Sequence, residues 1–226
     1  MGAKNHEKKL QLTYKKTKLK PGKLPDVEKQ NEFVEHYCEM LQRAVKGDFH
    51  VLFYDPVHQL HNTINSKCWQ EKGSSNTLIL PSNTGRNRIT ILGAINPLTY
   101  KFTSLTLEGM VDKEVTKCCL ENIREEYNDQ KEIIIIMDNA KYNRAYEVQD
   151  YAKELNISIK YLPPYCPNLN LIERVWKYLK KKLKNKYIEK FDDFKEWIND
   201  FCKNFERYQN DISKLISNKI QIIKAA

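Results

Sequence analysis

The chain has 226 residues and a formal net charge of +9, from 38 basic and 29 acidic side chains. A hydrophobic fraction of 41% and an aromatic fraction of 11% are enough for a real core and exclude a disordered chain, while no apolar run reaches the length of a signal peptide or membrane span. That length allows one full domain with an appendage, and the basic surplus suits a polyanionic partner such as nucleic acid, although a lysine-rich solvated surface gives the same balance.

Residues 1–25 carry Lys8, Lys9, Lys15, Lys16, Lys18, Lys20 and Lys23 and close on Pro21-Gly22 and Pro25. They read as a basic arm or linker. Asp26 can cap a helix running to about Lys46, with Phe33, Tyr37, Met40, Leu41 and Ala44 at helical spacing. Phe49–Tyr54 is an apolar strand that ends on Asp55, and Pro56 is expected to stop its ladder. His58 and His61 follow. Without a third ligand at fitting spacing they suit structural or substrate-contact roles better than zinc. The stretch from Trp69 to Pro81 is loop-like. Gly85-Arg86-Asn87-Arg88 then leads into a strand at Ile89–Ala94, and Phe102–Leu107 alternates as its return strand. Asp112 caps the next helix, with Val115, Cys119, Ile123 and Tyr127 on one face.

Glu132–Met137 holds four successive isoleucines. β-Branching suits a strand buried on both faces. The run stops at Asp138, where open α/β sheets place their ligands. A helix from Arg144 to about Leu155 and a strand at Ile157–Leu162 come next. Pro163-Pro-Tyr-Cys-Pro-Asn-Leu-Asn170 is a rigid turn, after which Asn170 can cap a helix from Leu171 to about Lys186. Phe191 to Tyr208 is helical, and the tail over Ile212–Ile223 is weakly amphipathic. This order predicts an α/β fold: a mixed sheet of three antiparallel strands, then parallel strands, with helices on both faces. The six cysteines show no CxxC and no zinc-ligand spacing. They read as reduced thiols of a cytosolic protein.

Asp55 and Asp138 both close apolar strands, and Glu173 lies in the first turn of the Leu171 helix. On that helix Ile172, Val175, Trp176, Leu179 and Leu183 form the core stripe. Glu173, Lys177, Lys180 and Lys184 line the opposite face. Three acids on separate elements can hold two Mg²⁺ or Mn²⁺ ions, which activate water or a 3′-hydroxyl against a phosphodiester. Each acid also has an ordinary reading: a turn residue at Asp55, a loop cap at Asp138-Asn139, and an Asn170-x-x-Glu173 capping box.

The segments Asp55-Pro-Val-His-Gln, Gly85-Arg-Asn-Arg, Met137-Asp-Asn-Ala-Lys-Tyr142 and Leu162-Pro-Pro-Tyr-Cys-Pro-Asn-Leu-Asn-Leu-Ile-Glu-Arg-Val-Trp-Lys177 resemble the DDE transposases of the mariner superfamily, above all its bacterial insertion-sequence branch. The resemblance runs from about Leu12 to Phe205, and the 34 residues between Asp138 and Glu173 match the family's spacing. It implies a ribonuclease-H-like fold over residues 26–208, with a basic linker at 1–25 and a tail at 209–226. It also implies a divalent-metal site of Asp55, Asp138 and Glu173, and cleavage and joining of DNA at transposon ends. Lys177, Lys180, Lys181 and Lys184 are expected to contact phosphates, with Arg86 and Arg88 as helpers. DNA is the expected partner and a homodimer the expected active form, in the bacterial cytoplasm at the nucleoid.

Asn143 stands where family members often have His, and Cys166 where they often have Ser. Because neither is one of the three acids, modest effects or none are expected. Members usually carry a helix-turn-helix region before the catalytic domain. Only its connecting tail is recognisable here, in Thr13-Tyr-Lys-Lys-Thr-Lys-Leu-Lys-Pro-Gly22. The expectation is a catalytic half partnered by a separate helix-turn-helix polypeptide, or a non-catalytic nucleic-acid-binding remnant. A ribonuclease-H-like hydrolase of RNA–DNA hybrids is a further reading. A phosphotransferase using Asp55 fits less well, since Asp-Pro-Val lacks a second acid two residues on.

Overall fold

The computed structural model describes residues 25–72, 77–216, 220 and 222. The expected basic arm, apart from Pro25, lies outside the described residues, as does most of the tail beyond Ile216. Helix α1 (Val27–Lys46) starts where expected: the Asp26 carboxylate accepts from Glu28 N at 2.9 Å, and Gly47 ends the helix at φ 86°. Strands β1 (Phe49–Leu60), β2 (Arg88–Ile95) and β3 (Phe102–Leu107) follow. Helix α2 (Lys113–Glu126) is capped by Asp112, whose carboxylate accepts from Val115 N at 2.9 Å. Then come β4 (Glu132–Met137), α3 (Tyr146–Glu154), β5 (Ile157–Tyr161), α4 (Ile172–Leu183), α5 (Phe191–Lys203) and α6 (Gln209–Leu215).

The five strands form one mixed sheet in the order β3-β2-β1-β4-β5. β1, β2 and β3 are antiparallel neighbours, while β4 and β5 run parallel to β1. Alternation splits the isoleucine run between two cores. Ile134 and Ile136 face α1, α4 and α5, and Ile133, Ile135 and Met137 face α2 and α3. Burial on both faces is why β4 reads as a continuous apolar run.

Three local expectations are corrected. Asp55 and Pro56 do not stop β1, which pairs with β2 through Leu60. Its β4 neighbour is lost beyond Phe53, so that side is open, and a strand tolerates proline where its nitrogen need not donate. Asn170 does not cap α4: the position before the helix is Leu171, with no side-chain cap bond. Asn170 is buried, and its amide donates to Tyr54 O at 3.1 Å, pinning the helix start to β1. Finally, α4 stops at Leu183. Lys184 leaves in extended backbone and pairs with Ile64, and Asn185, in the left-handed region at φ 56°, donates its N–H to Ile64 O at 2.9 Å.

Residues 209–216 join the core. Ile212 and Ile216 are buried, Tyr178 on α4 donates to Asp211 at 2.6 Å, and Arg174 donates to Leu215 O at 2.8 Å.

Candidate active site

Strand register brings the two aspartates together. In the parallel β1–β4 ladder Phe53 lies opposite Ile136, so Asp55 and Asp138 each stand two residues further along neighbouring chains. Neighbouring strands are about 5 Å apart, and a two-residue step keeps side chains on one face. Both aspartates therefore share the side of Phe53 and Ile136, which is the side that α4 covers.

Glu173 reaches them from α4, whose start is tied down by the Asn170–Tyr54 hydrogen bond. Trp176, one turn on, packs across β2 at Gly93, the residue paired with Asp55. A Cβ on Gly93 would stand 2.6 Å from the Trp176 ring and 2.8 Å from that of Phe102, so only glycine permits this approach. The indole N–H lies beside Asp55 and favours its ionised form, but stops short of hydrogen-bond geometry and leaves Nε1 buried without a partner.

The loops close the remaining sides. Leu162 N donates to Met137 O at 2.9 Å and Asn139 Nδ2 to Leu162 O at 2.6 Å, which joins the end of β4 to the proline turn. The result is a cleft of about 480 Å³ lined by Asp55, Asp138, Glu173, Asn170 and the turn from Pro163 to Pro167. All three acids are half-buried, sheltered yet open to a ligand.

Burial, then the charges of Glu173 and Asp138, push the Asp55 carboxyl up to about 8. Trp176 and Lys180 pull the other way, so of the four expected phosphate-contacting lysines Lys180 acts most strongly on Asp55. Tyr142 is also close: burial, Asp138 and Asp55 push its hydroxyl up to about 12. The Asp138 carboxylate accepts from Ala140 N at 3.1 Å and from Asn143 Nδ2 at 2.8 Å, both at Oδ1. Neither of these bonds uses Oδ2.

The donor set suits a hard divalent cation. It offers carboxylate oxygens without sulfur or imidazole, and the mutual repulsion that raises Asp55 is what a cation relieves. Among the described residues no three His, Cys, Asp or Glu side chains form a tight group that could hold an ion as they stand. The acids ring the cleft rather than clasp one point.

Other candidates lie further out. Lys177, Lys180, Lys181 and Lys184 are exposed along and just past α4. Arg86 and Arg88 are exposed, but Arg88 pairs with Leu60, five residues along β1 from Asp55, roughly 17 Å away. The structure does not bring either arginine into the acid cleft. His58 Nδ1 donates to Thr90 Oγ1 at 2.9 Å, since that hydroxyl gives its own proton to Gly109 O. His61 is buried against Phe191 and Phe194, and its Nε2 donates to Ile188 O at 2.8 Å. Both imidazoles serve the fold. The roles of Gly93, Trp176 and Asn170 are not legible in the sequence, where the one signal is the aromatic two residues after the Glu173-Arg174 pair.

A five-stranded mixed sheet with helices on both faces and acids gathered at the carboxyl end of a central parallel strand is a ribonuclease-H-like fold. The chain belongs to the DDE superfamily endonucleases, which residues 50–208 match. It is 27% identical over 135 residues to the "Insertion element IS630 uncharacterized 39 kDa protein" of Shigella sonnei, a match covering 58% of this chain and 38% of that protein. It is 30% identical over 106 residues to "Uncharacterized protein y4pE/y4sA" of Sinorhizobium fredii, covering 46% of this chain and 74% of that protein. Among solved structures, the catalytic domain of Mos1 mariner transposase shares the fold with a TM-score of 0.56 and 15% identity, covering 88% of this chain and 94% of that one. The Mos1 strand transfer complex gives a TM-score of 0.62 at 17% identity, with 94% of this chain on 65% of that one. The chain thus spans about two-thirds of the longer Mos1 chain and a smaller part of the Shigella protein.

Proposed function

We propose that this chain is the catalytic domain of an insertion-sequence transposase of the mariner type, cutting DNA and joining strands at transposon ends. The observation that carries this reading is the register of β1 on β4, which sets Asp55 beside Asp138 in a cleft that Glu173 completes. Asp55, Asp138 and Glu173 are the metal ligands and catalytic residues, and the catalytic domain runs over residues 26–208. When bound, Mg²⁺ or Mn²⁺ supplies activation of water or a DNA 3′-hydroxyl and stabilises the leaving oxygen. Structures of Mos1 paired-end complexes with Mn and with Mg are consistent with that choice.

The chain's own residues do the rest. Asp55, buried and crowded by two acids, favours a cation over solvent. Lys180 balances charge at the cleft, and Lys177, Lys181 and Lys184 neutralise phosphates along α4, away from the reacting bond. Arg86 and Arg88 meet the backbone further out. The proline turn fixes one wall of the cleft. The active form is a homodimer on two transposon ends and a target; a paired-end complex of Mos1 transposase with a transposon end supports the pairing of ends. Recognition of the end sequence falls to a helix-turn-helix region, on this polypeptide or a separate one.

The test is cleavage of labelled duplex DNA and of an RNA–DNA hybrid, with Mg²⁺ or Mn²⁺, by the parent and Asp138→Ala. Metal-dependent cutting of DNA that falls to background in Asp138→Ala is expected. Equal activity in both proteins ends this mechanism, and preference for the hybrid points to a ribonuclease.

A further inference from the structure

We infer that Asn143 is a positioning residue for the metal site, holding Asp138 so that one oxygen is fixed in the fold and the other is presented to the cleft. The inference rests on the reading of Asp138 as a metal ligand. It reverses the expectation that a substitution at Asn143 has little consequence.

Asn143 is fully buried in the loop between β4 and α3. Its Nδ2 donates to Asp138 Oδ1 at 2.8 Å, and Ala140 N donates to the same oxygen at 3.1 Å. With Oδ1 held twice, rotation of the carboxylate is restricted and the position of Oδ2 follows. The amide orientation is set by charge: turned over, it would place Oδ1 of Asn143 against a carboxylate oxygen. Asn143 is itself held. Its N–H donates to Ala140 O at 3.1 Å, and its carbonyl accepts from the Tyr161 hydroxyl at 2.9 Å. The Arg144 guanidinium lies 5.7 Å from the Tyr161 ring centre, bracing that hydroxyl from the neighbouring position.

Asn143 Oδ1 is buried without a hydrogen-bond partner. Such a group is unfavourable. A residue serving the fold alone would do as well with an apolar side chain of the same size. The feature that needs an N–H at this point is the carboxylate of Asp138. Residues that orient metal ligands in this way typically change metal affinity by about 10–100-fold when replaced.

The experiment measures Mn²⁺ binding by titration calorimetry and by the loss of the free-ion spin-resonance signal, with no DNA present. It compares the parent, Asn143→Leu, Asn143→His and Tyr161→Phe, and records thermal unfolding of each without metal. Leucine keeps the branched shape at a larger volume and removes the donor, while histidine restores a ring N–H. The expected result is a 10–100-fold weaker Mn²⁺ affinity in Asn143→Leu with little change in metal-free unfolding. Recovery in Asn143→His and a smaller loss in Tyr161→Phe are also expected. Should Asn143→Leu not fold, Tyr161→Phe, at a half-buried position, carries the test. Variants that bind Mn²⁺ as tightly as the parent overturn the inference. So does an affinity loss that only tracks thermal instability and is not recovered by histidine. A parent that binds no Mn²⁺ overturns this inference and the proposed function together. A parent that binds Mn²⁺, weakens with Asn143→Leu and yet cuts no DNA supports the inference and ends the nuclease reading alone.

Discussion

The two faces of the sheet are built from the same strands and do different work. On the face covered by α2 and α3, Leu52, Ile133, Ile135 and Met137 meet Cys119, Leu120, Ile123, Val148 and Ala152. On the face covered by α1, α4 and α5, aliphatic packing gives way at the carboxyl end of β4 to Asp55, Asp138, Trp176 and the glycine that admits it. The difference is one of parity. Successive side chains on a strand point to opposite faces, so Asp55 and Asp138 share the α4 side. Moving either by one residue would bury it against α2 and α3. One face can thus concentrate unfavourable charge because the other is predominantly apolar and anchors the same strands.

Substitutions on the two faces should separate stability from activity. The largest effect on stability is expected on the scaffold face. Ile135→Ala leaves a cavity at a fully buried position and should cost about 2–5 kcal/mol in urea unfolding. Metal affinity per folded molecule should survive, and a selective loss of metal binding would break the division between the faces.

The acidic face should respond in the opposite sense. Asp55 keeps its proton in the folded state up to about pH 8, whereas an ordinary aspartate has released it near pH 3.8. The folded state therefore binds more protons between those values, and the metal-free protein loses stability as pH rises from about 4 through about 8. Asp55→Asn removes that dependence. It should be more stable than the parent at pH 8 without metal, by on the order of a few kcal/mol, and equal to it near pH 4. Parallel stability profiles in the two proteins would mean that Asp55 is not crowded as described. Adding Mn²⁺ should narrow the gap at high pH by stabilising the parent.

The smallest effect is expected along α4. Lys181→Gln should reduce the dependence of DNA binding on salt by a slope of about one and leave metal affinity unchanged. An unchanged slope would remove Lys181 from the DNA path.

Much of this was readable in local pattern. The isoleucine run, the alternation of β3, the caps at Asp26 and Asp112 and the apolar stripe of α4 all lie within a few residues of what causes them. The three acids stood out because each followed or opened an element. In the sequence Asp55 reads as a strand end because Pro56 normally stops a ladder. Nothing nearby in sequence shows that β1 has an open side there. Asn170 looked like a cap because its side chain suits one, but its partner, Tyr54 O, lies 116 residues away.

By itself, then, the sequence determined which segments become strands and helices, which faces are apolar, and that acids with a family's spacing stand at their boundaries. Those properties follow from side-chain shape and period, which act over single turns and pleats. The tertiary structure alone decided that Asp55 faces Asp138 and that Gly93 makes room for Trp176 beside them. These depend on strand register and on contacts between distant segments. Register is chosen by how two whole faces bury their apolar side chains at once, and no single segment contains that choice.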